Sequence, residues 1–136
     1  MIAFFDASAL IYLVEGAEPF ASRIRLELAR TTRKYPNLQV AVGRLSWLEC
    51  RIRPMRNNEH TTLAAFDNFF VRPDLIWVEL SKDVVELATA IRVKYGSRVP
   101  DALQAACCLQ LGPNHLFFTG DAGFRRVAGL KVKLLT

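Results

Sequence analysis

Residues 2–6, Ile-Ala-Phe-Phe-Asp, decide how the rest of the chain is interpreted. Four apolar residues that end in a carboxylate are typical of a buried strand that leads to a polar site. A charge placed directly after a buried run is costly unless it is hydrogen-bonded, paired or bound to a metal. Asp6 is therefore either a site residue or the N-cap of the helix predicted to follow it.

Beyond this stretch, apolar strand-like runs alternate with helical stretches. Helices are predicted over residues 7–14, 19–34 and 61–70, from a cap at Ser46 to a break near Pro54, between Ser81 and Gly96, and over residues 101–111. Further strands are predicted over residues 38–42, 75–80, 116–119 and 132–134. Strands that are apolar throughout indicate a parallel sheet covered on both faces. We therefore predict a single α/β domain over residues 1–136, with three α/β/α layers around a central, mostly parallel sheet of four to five strands.

The composition is that of a globular, basic protein. Hydrophobic residues make up 51% of the chain and charged residues 23%, which argues against disorder. The formal net charge of +5 suits a phosphate-bearing partner, or serves solubility alone. Three cysteines, in no disulfide or zinc spacing, are predicted to be reduced core residues. No apolar run approaches the roughly 20 residues that span a bilayer and no signal peptide is recognised, so we expect a cytoplasmic protein without a membrane role.

Three more carboxylates lie where a site would use them. Asp121 follows the apolar run Phe-Phe-Thr-Gly, Asp101 falls in the first turn of a helix after Pro100, and Glu49 lies on a predicted helix. Each also has an ordinary explanation. Asp121 would cap a short helix, Asp101 would stabilise a helix N-terminus, and Glu49 would complete a capping box with Ser46.

Taken together, these four acids favour a metal site. Ligands of open parallel sheets bind at the carboxyl ends of the strands, where Asp6 and Asp121 are predicted to lie. Carboxylates packed together repel one another, and a hard cation such as Mg²⁺, which prefers oxygen ligands, removes that repulsion. The set contains no His or Cys, which argues against zinc. His60 and His115 are predicted to be solvated.

Four segments, read together, resemble the PIN domain, a family of small metal-dependent nucleases, and within it the VapC-type toxins of toxin–antitoxin pairs. They are residues 5–13, 46–54, 99–106 and 117–124, in the family's order and spread over nearly the whole chain. The resemblance implies an endoribonuclease that depends on Mg²⁺ or Mn²⁺ and acts as a toxin. It also implies a homodimer, held in check by an antitoxin peptide in a groove among the helices.

The resemblance further implies the roles of individual residues. Asp6, Asp101 and Asp121 would hold metal, while Glu49 would orient or deprotonate the attacking water, directly or through metal. Ser8 and Thr119 would be polar supports near the metal. Separately, because they lie near the predicted acids, Arg51, Arg53, Arg125 and Arg126 are candidates for contact with the RNA backbone. The ordinary explanation, solvated charges on helix faces that balance the acids, is favoured for each arginine taken alone.

This sequence departs from the family pattern at two positions. Many relatives have Asn where this chain has Gly120, and some have a further acid where it has Gly123. The missing acid leaves two arrangements open: one ion held by Asp6, Asp101 and Asp121, or a second ion that arrives only with RNA. Transfer, ribosomal and messenger RNA all remain compatible as substrates.

Two other functions are compatible with parts of the pattern. A haloacid-dehalogenase-type phosphatase also has an Asp after its first strand, but its second acid follows two residues later, where this chain has Ser8. A non-catalytic PIN-like module that binds RNA or protein is the other alternative, and the presence of all four acids counts against it.

Overall fold

A five-stranded parallel sheet forms the centre of the computed structural model, which describes all of residues 1–136. The strands are β1 (Ile2–Phe5), β2 (Gln39–Gly43), β3 (Leu75–Val78), β4 (His115–Thr119) and β5 (Val132–Leu134). Their order across the sheet is β3-β2-β1-β4-β5, and every neighbouring pair is parallel. The first strand of the sequence therefore lies in the middle of the sheet, with β4 beside it.

Six α-helices and one short 3₁₀ helix connect the strands. The α-helices are α1 (Ala7–Glu15), α2 (Phe20–Lys34), α3 (Arg44–Arg56), α4 (His60–Phe70), α5 (Lys82–Tyr95) and α6 (Val99–Leu109), and the 3₁₀ helix is Ala122–Arg126. Helices α1 to α4 pack on one face of the sheet, and α5 and α6 pack on the other. The predicted three-layer α/β/α fold is confirmed. No helix is long and apolar enough to cross a membrane.

Two pairs of phenylalanines explain why the central strands are apolar throughout. Phe4 lies opposite Phe117 in the sheet, and Phe5 lies opposite Phe118. Because side chains alternate along a strand, Phe4 and Phe117 stack in the core under α5 and α6, while Phe5 and Phe118 pack edge to face in the core under α1 to α4. The same register brings the carboxyl ends of β1 and β4 side by side, directly before Asp6 and Gly120.

Several predicted helix boundaries are confirmed by the geometry of the caps. The Ser81 side chain accepts a hydrogen bond from the Val84 backbone N–H, and Gly96 closes α5 at a φ of +68°. Asp6 caps α1 through the Ala9 N–H, and Asp121 caps the 3₁₀ helix through the Gly123 N–H. Two of the four candidate acids therefore also have the ordinary capping role.

The predicted cap at Ser46 is wrong. Helix α3 begins at Arg44, so Ser46 lies inside it and is fully buried. The predicted break near Pro54 is also wrong, since α3 continues to Arg56. A proline so close to the end of a helix removes one N–H donor and leaves only two residues after it, so the helix tolerates it.

The prediction for His115 is wrong as well. Its side chain is 1% exposed, and its ring is held at both nitrogens: Nδ1 lies 2.7 Å from the Gly112 carbonyl oxygen and Nε2 accepts from the Lys131 N–H at 3.1 Å. His115 therefore joins two loops at the amino end of the sheet. His60 is exposed, as predicted, and all three cysteines are free and buried, as predicted.

Candidate active site

Asp6 lies at the carboxyl end of the central strand, and both of its carboxylate oxygens are held. Oδ1 accepts hydrogen bonds from Ser8 Oγ at 2.7 Å and from the Ala9 backbone N–H at 2.9 Å. Oδ2 accepts from Thr119 Oγ1 at 2.5 Å. The residue is 5% exposed. These bonds fix the direction of the carboxylate at the point where the strand ends.

The two hydroxyl groups that bind Asp6 are themselves fixed by the backbone after β4. The Gly120 N–H donates to Ser8 Oγ at 3.0 Å, and the Asp121 N–H donates to Thr119 Oγ1 at 3.1 Å. Each hydroxyl therefore accepts from a backbone N–H and donates its own proton to Asp6. Ser8 and Thr119 therefore support the Asp6 carboxylate, and their predicted place near a metal stays a prediction.

Burial is the main influence on the charge of Asp6. Burial raises the pKa of Asp6, the hydrogen bonds from Thr119 and Ser8 lower it, and the nearby negative charge of Glu49 adds a small increase. The net result is a pKa of about 6. No Lys or Arg side chain lies within 4.0 Å of the Asp6 carboxylate. An ionised Asp6 is therefore held by dipoles alone, and a cation beside it would relieve the cost of its burial.

Glu49 projects from α3 toward the same place and is positioned by Gln104 of α6. Gln104 Nε2 donates to Glu49 Oε1 at 2.9 Å and to Ser46 Oγ at 2.9 Å. Gln104 is 3% exposed, and its own Oε1 has no hydrogen-bond partner. We did not identify Gln104 from the sequence, although a lone amide three residues after Asp101, within an apolar helix, is the signal that marks it.

Asp101 and Asp121 also line the cleft. Asp101 lies in the first turn of α6, and its Oδ2 is 3.3 Å from Arg98 Nε. Asp121 is exposed, and its Oδ1 accepts from the Gly123 N–H at 2.8 Å. Arg98 was also missed in the sequence, although its spacing of three residues from Asp101 on a helix is that of an ion pair.

One cleft of about 320 Å³ brings all four predicted carboxylates together. Thr119 is fully buried below it and does not line its wall. The lining residues are Asp6, Ala7, Ser8, Tyr12, Glu49, Arg98, Asp101, Gln104, Gly120, Asp121 and Phe124. The four carboxylates, which span 115 positions in the sequence from Asp6 to Asp121, therefore share a single pocket.

The donor set of this cleft fits a hard divalent cation. It consists of carboxylate oxygens, and Arg98 is the only cationic side chain within 4.0 Å of any of the four acids. No group of three or more acidic, His or Cys side chains is arranged to hold an ion as the side chains stand, with Asp101 paired to Arg98 and Asp121 bonded to its own turn. An ion held by three of these carboxylates would therefore require side chains to move from the positions described.

Two of the four predicted RNA-contact arginines are occupied by carboxylates away from the cleft. Arg51 pairs with Asp67 at 3.1 Å. Arg53 pairs with Glu15 and, at 3.4 Å, with Glu59. Neither arginine lines the cleft.

The other two predicted arginines, Arg125 and Arg126, lie on the 3₁₀ helix beside the cleft. Arg126 donates from Nε to the Gly123 carbonyl and from Nη1 to the Tyr95 carbonyl, each at 3.3 Å. Arg125 is exposed and has no carboxylate within 4.0 Å. Of the predicted arginines, only Arg126 lines a cavity next to the cleft.

Tyr12 fills the space beside Gly120. A β-carbon built at Gly120 would overlap the phenol oxygen of Tyr12 and stand 2.8 Å from its Cε2. The ring stacks on Phe20, with 4.5 Å between the centroids. Tyr12 was not among the residues predicted for the site, yet it forms part of the cleft wall.

Comparison with known proteins agrees with this fold. The family model described as PIN domain matches residues 3–130. No curated protein matches the sequence.

Solved structures match the whole chain at low sequence identity. VapBC2 from Rickettsia felis, bound to a DNA fragment from its promoter, has a TM-score of 0.78 at 14% identity, over 100% of both chains. VapBC-1 from nontypeable Haemophilus influenzae has a TM-score of 0.73 at 18% identity, over 99% of this chain and 98% of that one. A toxin–antitoxin complex from Klebsiella pneumoniae has a TM-score of 0.65 at 22% identity, over 98% of each chain. At these identities, the likeness shows a shared fold.

Proposed function

The chain belongs to the PIN domain family, and from that premise we propose that it is a metal-dependent endoribonuclease that acts as a VapC-type toxin. The observation that carries the proposal is the single cleft lined by Asp6, Glu49, Asp101 and Asp121. Four acids with one cationic neighbour need a cation, and phosphodiester chemistry uses one.

The proposed ligands are the carboxylates of Asp6, Asp101 and Asp121, with Glu49 beside them. When bound, Mg²⁺ or Mn²⁺ would polarise the phosphate and lower the pKa of a water molecule. Asp6 is suited to this task because Ser8, Ala9 and Thr119 already hold its carboxylate in one direction. A site whose first ligand is fixed before binding loses less entropy when the ion arrives.

Glu49 is proposed to orient the attacking water and accept its proton. Its Oε1 is occupied by Gln104, while its Oε2 has no protein partner. Gln104 therefore holds the side chain and leaves one oxygen available to a water.

An antitoxin partner and a homodimer complete the proposal. The matched structures from Rickettsia felis and Haemophilus influenzae are of VapBC2 and VapBC-1, and the one from Klebsiella pneumoniae is a toxin–antitoxin complex. Exposed apolar side chains along α3, of the kind that protein partners cover, support such contacts; they are Trp47, Leu48, Ile52 and Met55. The cytoplasm, where RNA and an antitoxin would be met, is the proposed location.

Purified protein incubated with labelled single-stranded RNA tests the nuclease. We expect cleavage in Mg²⁺, no cleavage in excess chelator, and recovery when Mg²⁺ is restored. Asp6→Asn should abolish cleavage. The control is Asp74→Asn, which should not, because Asp74 is an exposed acid that pairs with Arg72 outside the cleft. Equal cleavage by the wild-type protein and Asp6→Asn would overturn the proposal.

Expression in a bacterial host tests the toxin role separately. We expect the wild-type chain to arrest growth, and the protein encoded beside its gene to relieve the arrest. Asp6→Asn should not arrest growth. If the wild-type protein cleaves RNA but does not affect growth, the nuclease proposal stands and the toxin proposal is wrong.

A further inference from the structure

A second cavity of about 220 Å³ adjoins the carboxylate cleft. The two share Arg98, Asp101, Asp121 and Phe124 as common wall. The remaining lining residues of the second cavity are Gly96, Ser97, Gly123 and Arg126. Phe124 is its only apolar wall, so this cavity is suited to a polar group that extends from the cleft.

Arg126 presents a fixed positive charge to this second cavity. Its guanidinium donates to the carbonyls of Gly123 and Tyr95, and no carboxylate lies within 4.0 Å of it. Two backbone carbonyls therefore set its position without neutralising its charge. The guanidinium carries five N–H donors, so donors remain for an anion in the cavity.

Arg98 supplies a second guanidinium on the wall between the cavity and the cleft. Its side chain is 82% exposed, and its one carboxylate contact, to Asp101, is a single 3.3 Å approach. Exposed pairs of this kind are weak. A cation that takes Asp101 as a ligand would release Arg98 to a different anion.

The chemistry of the cavity matches a phosphodiester group rather than a free anion. Two guanidinium groups at one small cavity suit the oxygens of a phosphate, which accept paired N–H donors. Asp101 and Asp121 on the shared wall repel a freely diffusing anion. A phosphate that is part of an RNA strand already bound in the cleft is kept near the cavity by the rest of that strand. It can therefore bind there despite the repulsion.

We propose that Arg98 and Arg126 form a phosphate subsite that holds the RNA backbone next to the phosphodiester bond that is cut. This inference rests on the proposed nuclease function, because it requires RNA in the adjoining cleft. Phosphate contacts of this kind position a strand without reading its sequence. The subsite therefore sets the register of the RNA, while sequence preference arises elsewhere.

Salt-dependent RNA binding tests the subsite directly. Binding of a fluorescently labelled single-stranded RNA is measured by anisotropy in Mg²⁺ over a range of KCl concentrations. The background is Glu49→Gln, which removes the proposed proton acceptor but keeps Asp6, Asp101 and Asp121, so that the probe stays intact while the metal can bind. We expect Arg98→Ala and Arg126→Ala each to weaken binding about 3- to 10-fold. Each should also reduce the slope of log K against log salt by about 0.7, the value for one phosphate contact on a single strand.

Arg125→Ala is the matched control. The sequence marks both arginines of this 3₁₀ helix as candidates for RNA contact, and both are exposed. Arg125 lines neither cavity, so the proposed subsite includes Arg126 and excludes Arg125. Arg125→Ala removes the same charge as Arg126→Ala. We expect its slope of log K against log salt to equal that of the parent protein within error. Equal loss of slope in Arg125→Ala and Arg126→Ala would mean diffuse attraction by net charge and would overturn the subsite.

Steady-state cleavage separates failure of the subsite from failure of the nuclease. With Glu49 intact, Arg126→Ala should raise KM about 3- to 10-fold and leave kcat within about twofold, because its contact is to a phosphate that does not react. If the wild-type protein cleaves RNA, but Arg98→Ala and Arg126→Ala bind RNA as tightly as the parent protein does, then the subsite proposal alone is wrong. A wild-type chain that neither binds nor cleaves RNA would remove both proposals.

Discussion

Thr119 Oγ1 donates a hydrogen bond to Asp6 Oδ2 at 2.5 Å, although the two residues are 113 positions apart in the sequence. The bond exists because Phe5 pairs with Phe118 in the sheet, so that the next residue of each strand emerges at the same edge. Both residues are buried. The candidate site is therefore anchored to two central strands rather than to mobile loops.

Thr119→Val should destabilise the protein and impair the site. Valine keeps the shape of threonine but leaves Asp6 Oδ2 and the Asp121 N–H without their partner. Loss of such buried hydrogen bonds costs about 1 to 3 kcal/mol in the free energy of unfolding, which urea denaturation would measure. Thr119→Ser keeps the hydroxyl and should lose less. Equal stability of Thr119→Val and the wild-type protein would contradict the role of this bond.

The metal-free protein should lose stability as the pH rises through the pKa of Asp6. Burial raises the pKa of Asp6 from 3.8 to about 6, so the folded state binds the proton more tightly than the unfolded state. This contribution is fully present below about pH 4 and is lost as the pH rises through about 6. Asp6→Asn, which retains the N-cap, removes this dependence.

The expected size of that effect follows from the pKa difference. Between about pH 4 and 7, the unfolding free energy of the wild-type protein should fall relative to Asp6→Asn by about 2 to 3 kcal/mol, measured by urea denaturation in chelator. Mg²⁺ should restore stability to the wild-type protein and not to the variant. Parallel pH profiles for the two proteins would contradict the account of Asp6.

Gly120→Ala should be tolerated only when Tyr12 is shortened. The β-carbon of alanine would overlap the phenol of Tyr12, and overpacking of this kind costs about 1 to 3 kcal/mol in unfolding free energy. In a Tyr12→Ala background, the same change should cost much less. A double-mutant cycle by urea denaturation measures this coupling, and additive effects of the two changes would show that the residues do not compete for space.

The three cysteines should be unreactive in the folded protein. All three are buried, and burial raises the pKa of the Cys107 thiol to about 11 and the pKa of the other two further. Because the thiolate is the nucleophile, Ellman's reagent at about pH 8 should modify no cysteine until the protein is unfolded by guanidinium, which should then expose three thiols per chain. Rapid modification of the native protein would contradict the described core.

The fold was predictable from the sequence because its signals are local. The paired phenylalanines of β1 and β4 gave apolar runs without alternation, and the carboxylates after those runs marked the edge where a parallel sheet places its ligands. The acids Asp6 and Asp121 were found in this way. Asp101 and Glu49 were singled out by their positions on predicted helices, and the resemblance of four short segments then implied the roles of all four acids.

The features that were missed depend on contacts between distant parts of the chain. Ser46 and Glu49 have the spacing of a capping box, but α3 begins two residues earlier, so Ser46 instead accepts from Gln104 of α6. His115 has the composition of a turn around it, yet the return of the chain at Lys131 encloses its ring. No local pattern reports such partners.

The cleft residues Tyr12 and Arg98 were missed for a related reason. Tyr12 belongs to a helix whose apolar pattern is satisfied without it, and Arg98 is the residue directly before α6. Tyr12 faces the acids because α1 packs against Gly120. Arg98 faces them because the start of α6 packs against the 3₁₀ helix.

The most direct test of the central claim is an anomalous difference map from crystals soaked in Mn²⁺. The account predicts a peak in the cleft about 2.0 to 2.3 Å from carboxylate oxygens of Asp6, Asp101 and Asp121, with Asp101 turned away from Arg98, and no such peak in Asp6→Asn crystals. A Mn²⁺ peak elsewhere on the molecule, with Asp101 still paired to Arg98 and the cleft empty of metal, would contradict it.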